Sequence, residues 1–281
     1  MPAAPALRYL LKLSRPRFWL YLAGPVLVAA AYAASRPADL AAWRLWLLFA
    51  YALLPANLLV YGVNDVFDAE IDAHNPKKQA REARFGGQPA VWWALGLSAL
   101  ASLAALAALP PPARPWLLGF VFLAVFYSAP PLRFKTRPFL DSLSNGLYVL
   151  PGLAAYVLLA GAAPPTAAIV GGWLWTMAMH SFSAIPDIAP DRAAGIQTTA
   201  TWLGAGRTYA YCGLCWLGSA LAFAAIHPAL GWLLGVYPAL VAWIALRGID
   251  VERAYWWFPA INTLLGMALT LGGLGRLVGG A

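Results

Sequence analysis

Nine apolar runs joined by short polar links make up nearly all of this chain and leave it few ways to fold. The runs cover 18–34, 44–66, 91–109, 116–130, 142–161, 166–185, 208–226, 230–246 and 256–275. Hydrophobic residues are 62% of the 281 and charged residues only 11%, whereas soluble domains carry about a quarter charged. Apolar stretches of about 18 residues are long enough to cross a bilayer as helices. Inside lipid only helices and closed barrels satisfy their own backbone. The expectation is an all-α polytopic membrane protein, a single transmembrane domain over 1–281 with about nine helices. The longest polar stretch, 67–90, has room for one or two helical turns and not for a soluble domain. The first run is too long for a removable signal peptide and is read as a retained helix.

A net charge of +8 could suit a nucleic acid, but its placement argues for topology instead. With the N-terminus inside, Arg8, Lys12, Arg15, Arg17, Lys77, Lys78, Arg81, Arg84, Arg133, Lys135, Arg137, Arg192, Arg207, Arg247 and Arg253 all fall in inner segments. Only Arg36, Arg44, Arg114 and Arg276 fall outside. This is the positive-inside pattern, and it predicts a cytoplasmic N-terminus and an outer C-terminus. All the acids but Asp39 lie on that same inner side. No nucleic-acid partner is expected. Cys212 and Cys215 form a CxxC within an apolar run, with no further thiol or imidazole near, and read as small buried residues.

Two acid sets stand where an apolar run meets a polar link. Asn64, Asp68 and Asp72 are spaced i, i+4, i+8, with Asp65 three before Asp68, so on a helix they form one stripe. Glu70 points elsewhere. Asp187 and Asp191 share a face just after Pro186. Carboxylates gathered at one spot repel unless a cation lies between them. Mg²⁺ takes one or two carboxylates with phosphate oxygens and water, and two sets could clamp one diphosphate through two ions. The plainer alternative is a pair of solvated helix ends paired with Lys77, Lys78 and Arg192. Laying Asp187 and Asp191 on Asp68 and Asp72 also gives a faint internal repeat with the site at its interface.

The third inner link, Tyr127-Ser-Ala-Pro-Pro-Leu-Arg133-Phe-Lys135, has two prolines that stop the helix and hold the following cations in a fixed turn. Arg133 and Lys135 are suited to a departing diphosphate; Arg15, in Ser-Arg-Pro, is a further candidate. Aromatics, 14% of residues, divide in expectation between a cavity lining and an interfacial belt. Trp19, Trp43, Trp46, Trp92, Trp93, Trp116, Trp256 and Trp257 are assigned to the belt, and of the aromatics only Tyr127 to the site. His180, two turns before Asp187, faces either the cavity or a neighbouring helix.

These motifs together resemble the UbiA superfamily of intramembrane prenyltransferases. NDVFDAEID at 64–72 matches that family's NDxxDxxxD, DIAPDRAAGIQTTATWLG at 187–204 its DxxxD and following run, YSAPPLRFK at 127–135 its third inner loop and SRP at 14–16 its start. The resemblance implies nine helices around a cavity open to lipid, with inner loops capping Mg²⁺ and a prenyl diphosphate. It implies metal ligation by Asn64, Asp68, Asp72, Asp187 and Asp191, with Asp65 in support. It implies diphosphate contacts from Tyr127, Arg133 and Lys135, and lesser ones from Arg192, Arg15 and Lys77. The family's usual Arg-Pro after the first motif is replaced by KKQAREARFGGQP, so Lys77, Lys78, Arg81 and Arg84 stay interchangeable here. The string SFSAIPDIAPDRAAGIQTTAT looks most like the lycopene elongase branch of C50 carotenoid synthesis; other branches prenylate aromatic quinone precursors, haem or chlorophyll.

The expected reaction is ionisation of an allylic diphosphate, such as dimethylallyl diphosphate, and capture of the allyl cation by a lipophilic acceptor such as a carotenoid held in membrane lipid. Proton loss or water capture then ends it. A cation transporter would place its acids near the bilayer midplane instead. A CDP-alcohol phosphotransferase would carry a DG…AR signature, absent here. A purely structural partner leaves both acid sets unexplained.

Overall fold

The computed structural model describes residues 3–69 and 85–279, and among them every element is helical. After an entry helix α1 (Ala3–Leu13), helices α2 (Trp19–Ala33), α3 (Trp43–Leu53) and α4 (Pro55–Phe67) form the start of the bundle. They are followed by α5 (Pro89–Ala108), α6 (Arg114–Phe126), a short α7 (Leu140–Leu143) and α8 (Leu150–Ala160). The second half comprises α9 (Thr166–Ser183), short α10 (Ile188–Ala193) and α11 (Thr199–Leu203), then α12 (Ala205–Ala224), α13 (Pro228–Leu234), α14 (Val236–Arg247), α15 (Val251–Tyr255) and α16 (Phe258–Gly279). Each of the nine apolar runs carries a helix. By length and hydropathy Trp43–Phe67, Pro89–Ala108, Pro228–Arg247 and Val251–Gly279 are able to cross a bilayer, and the bent pair Leu140–Tyr148 and Leu150–Ala160 adds a fifth. Nine crossings stays an expectation of the sequence.

Three runs expected to be single helices are broken, each for a local reason. Pro55 has no N–H to continue α3, and the Asn57 amide donates instead to the carbonyls of Ala52 and Leu53, both at 3.0 Å. The fifth run bends by 41° across a tight turn at Ser144–Tyr148, where Ser144 and Asn145 side chains donate back to Leu140 and Asp141 carbonyls. The eighth is interrupted at Gly235, between α13 and α14, where Pro238 has no N–H for the Leu234 carbonyl; the sixth stays whole to Ser183, and a tight turn containing Pro186 carries the chain into α10.

Two apolar cores divide the molecule. One joins α2 through α8, from Leu22 to Val157; the other joins α9 through α16, with Tyr21 reaching into it from α2. Helix α2 is held from both sides by glycine contacts. A Cβ on Gly152 would lie 2.7 Å from the Pro25 carbonyl oxygen, and one on Gly273 would lie 2.9 Å from the Ala31 Cβ. Both thiols, Cys212 and Cys215, are free and buried in the second core, as the sequence suggested. Of the belt tryptophans, Trp43, Trp46, Trp92, Trp93, Trp256 and Trp257 are exposed on the outside of the bundle.

Candidate active site

Helix α4 presents the first acid set. Asn64 lies in its last turn and Asp65 beside it; the helix ends at Phe67, with Asp68 as its capping residue. Its N–H still bonds the Asn64 carbonyl at 2.9 Å. Asp72, Lys77, Lys78, Arg81 and Arg84 lie outside the described residues. Asp65 and Asp68 are 3% and 5% exposed, and a carboxylate this buried stays charged only beside cations. They have them. Arg15 donates to Asp65 Oδ1 at 3.3 Å and lies over the Tyr61 ring, 4.5 Å from its centroid. Arg133 donates to Asp68 Oδ1 at 3.4 Å and to the Phe67 carbonyl at 3.2 Å, and Lys135 pairs with Asp68 Oδ2. The Asn64 amide donates to Asp68 Oδ2 and Ser128 Oγ, both at 2.9 Å.

The loop after α6 is folded to deliver those cations. The Lys135 N–H returns to the Tyr127 carbonyl and the Arg133 N–H to Ala129, each at 3.0 Å, around the cis Pro130–Pro131 bond. Arg133 and Arg15 both adopt left-handed backbone, with φ of 41° and 49°, a conformation costing a non-glycine residue about 1–2 kcal/mol. Burial pulls the Lys135 ammonium down to about 8; the charges of Asp65 and Asp191 oppose this, and Arg15 adds to it. One ammonium is therefore within the field of both acid sets. Arg133 Nε is buried without an acceptor among the described residues.

The second set lies across from the first. Asp187 starts α10 and Asp191 lies in its first turn, both half-buried. Asp187 and Asn64 line one cavity of about 380 Å³, together with Arg15, Tyr127 and His180. Arg192 turns away to donate to the Thr201 carbonyl at 2.6 Å, tying α10 to α11. Among the described residues no three of His, Cys, Asp and Glu converge on one ion site. The donors offered by Asn64, Asp68, Asp187 and Asp191 include a carboxylate or amide oxygen throughout, which is the chemistry a hard cation takes.

Two groups of residues, one lining the cavity and one buried behind it, carry no mark in the sequence. Phe18, Tyr21, Tyr61, Tyr148, Trp175 and Tyr255 line the cavity, so Tyr127 has aromatic company that the reading assigned elsewhere or left out. Asp141 is the second. It is fully buried, accepts from the Thr199 N–H at 2.9 Å and from the Thr199 hydroxyl, and its Oδ2 lies 3.5 Å from His180 Nε2. A buried acid at the start of an apolar run is itself a functional signal; it was passed over because it stands at the edge of the run with no second acid beside it.

An all-helical bundle with a cation-bound acid set facing a second one across an aromatic cavity defines the class. The chain belongs to the UbiA prenyltransferase family, whose model matches residues 22–272, and it is a prenyltransferase. Within the family, the relatives at 55–59% identity share one name. It is 59% identical over 272 residues to the lycopene elongase/hydratase of Haloferax volcanii, covering 97% of this chain and 90% of that one. It is 56% identical over 273 residues to the lycopene elongase/hydratase of Halobacterium salinarum, covering 97% and 99%. Among solved structures, a UbiA homolog from Archaeoglobus fulgidus bound to DMAPP and Mg²⁺ superposes with a TM-score of 0.72 at 20% identity, over 95% of this chain and 99% of that one. The apo UbiA homolog from Aeropyrum pernix gives 0.71 at 18%, over 92% and 98%.

Proposed function

We propose that this prenyltransferase moves a five-carbon allyl group from dimethylallyl diphosphate to the end of a carotenoid such as lycopene, in a Mg²⁺-dependent reaction at the inner mouth of the bundle. The observation that carries this is Lys135, paired with Asp68 and acted on by the charges of Asp65 and Asp191. The Lys135–Asp68 pair and the cavity shared by Asn64 and Asp187 support one diphosphate place between the two acid sets. Asn64, Asp68, Asp187 and Asp191, with Asp72, would hold Mg²⁺, which when bound neutralises the leaving diphosphate.

The chain's own residues do the rest. Lys135 and Arg133 donate to the diphosphate, and Arg133 Nε, which has no acceptor among the described residues, is placed to find one there. Stabilising charge on the leaving group is the main electrostatic contribution to C–O cleavage. Arg15, stacked on Tyr61, holds Asp65 and the floor of the site. The rings of Tyr61, Tyr148 and Tyr255 face the cavity with electron-rich surfaces that suit an allyl cation. The rings of this lining suit a polyene acceptor. The names of the relatives and the ligands of the solved homologs support the same donor and acceptor. Transfer to quinone precursors, haem or chlorophyll, the other activities of the family, lacks the support that the names of the high-identity relatives give to a carotenoid.

The test uses purified protein with dimethylallyl diphosphate and lycopene. Prenylated carotenoid and pyrophosphate should form with Mg²⁺ and not with EDTA. Asp68→Ala and Asp187→Ala should each lower turnover by about 10²–10³-fold while remaining folded in detergent. Wild-type activity in either variant refutes the assignment.

A further inference from the structure

We infer that His180, held by Asp141, is the base that ends the reaction, removing the proton that converts the alkylated carbocation to product. The inference rests on the proposed prenylation of a polyene and adds to it the residue for its last step.

His180 lines the cavity on the α9 wall with Thr176, Met179 and Ser183, a stripe at helical spacing. It lies in the last turn of α9 and lines the same cavity as Asp187. From that wall it reaches the space in which the five-carbon group is proposed to meet its acceptor. Its Nε2 is directed at Asp141 Oδ2, 3.5 Å away, without a formed hydrogen bond. Catalytic bonds are often this long before substrate closes the site. The ring packs edge-on against Tyr127, with centroids 5.9 Å apart.

Asp141 is built to stay in place. Thr199 gives it both a backbone N–H and a hydroxyl, and the Phe139 N–H in turn donates to the Thr199 hydroxyl oxygen at 2.8 Å. The acid is therefore held facing the imidazole. Neither Asp141 nor His180 has a part in binding diphosphate. The titratable groups around the ring are Asp141, Tyr127 and, through Ser142, Tyr211; Asp187, Arg15 and Tyr148 share the cavity.

The chemistry balances. Addition of the allyl cation to a trisubstituted double bond forms one C–C bond and leaves a tertiary carbocation on the acceptor. His180 then either takes a proton from the adjacent carbon, whose C–H electron pair becomes the new double bond, or takes one from a water whose oxygen bonds the cation. In both cases pyrophosphate leaves with the donor's electron pair and the imidazolium later returns its proton to solvent.

The experiment compares wild type, His180→Gln, His180→Ala and Asp141→Asn with Mg²⁺, dimethylallyl diphosphate and lycopene, alongside binding of a non-ionising thiolo-diphosphate analogue. His180→Gln should lower turnover about 100-fold or more, lose the acid limb of the pH–rate profile and keep analogue affinity within twofold. Added imidazole should restore His180→Ala at least tenfold, more so at higher pH. Asp141→Asn, a positioning residue, should lower kcat without raising donor KM and add nothing further in the His180→Gln background. Turnover within threefold of wild type in His180→Gln overturns the inference, as does lost analogue affinity with no rescue by imidazole. A wild type that releases no product from lycopene is a different failure: it refutes the acceptor reading, and the base falls with it.

Discussion

Arg133 carries a guanidinium to Asp68 on a backbone that only glycine adopts without strain. An unfavourable backbone that aims a side chain at a candidate site is the pattern expected where function sets the conformation. Arg133→Gly separates the two effects: it relaxes the left-handed backbone while deleting the charge. Donor KM should rise by about tenfold or more, since a charge-assisted hydrogen bond contributes about 1.5–3 kcal/mol, yet the unfolding temperature should not fall. Steady-state kinetics and a thermal melt in detergent check both. At this scale the sequence was legible where chemistry is dense. Asn64, Asp68, Asp187, Tyr127 and Lys135 were all marked by spacing or by prolines, and the structure gathers them. Asp141 and the aromatic lining were not, because a single acid or a tyrosine among many apolar residues has no spacing to mark it. Arg192 was marked by charge alone, and its contact is with a backbone carbonyl of α11.

Helices were legible as apolar runs, but their breaks were not, because a break depends on which side chain repairs it. Asn57 shows this. Its amide satisfies the Ala52 and Leu53 carbonyls freed at Pro55, a role invisible in an apolar run that contains one asparagine. Asn57→Leu should cost about 1–3 kcal/mol, the penalty for leaving buried polar groups unpaired, read as a lower unfolding temperature. Packing of α8 on α2 makes a second, independent prediction. Val at 152 would drive its Cβ into the Pro25 carbonyl; both partners are backbone, so neither gives way cheaply. Gly152→Val should cost about 1–3 kcal/mol, and because the clash lies in the first core, away from His180 and Asp187, activity should fall only in step with the folded fraction.

At the scale of the molecule, contacts sort the chain ends and loops into two sets without reference to lipid. Arg17 stacks on Trp256, 3.7 Å from its ring centroid, so α2 and α16 begin at one end; Arg276 donates to the Tyr32 carbonyl at 2.9 Å, so they finish together at the other. Two helices running the same way as first and last spans require an odd number of crossings, in keeping with nine. The end that holds Arg17 also holds Arg15 on Asp65, Lys135 on Asp68 and Asp141 on Thr199, so the cations counted as inner from sequence cluster in space as well. By the positive-inside tendency we propose that this end faces the cytoplasm. The two native thiols are buried, which leaves a quiet background for single-cysteine labelling. Ser35→Cys, in an exposed loop at the Arg276 end, should react with a membrane-impermeant maleimide on intact cells. Arg207→Cys, exposed at the other end, should react only after permeabilisation. The reverse pattern would invert the molecule and put the diphosphate site outside, away from any cytoplasmic donor. Labelling of both from one side would break the odd count, and with it the matching of nine runs to nine crossings.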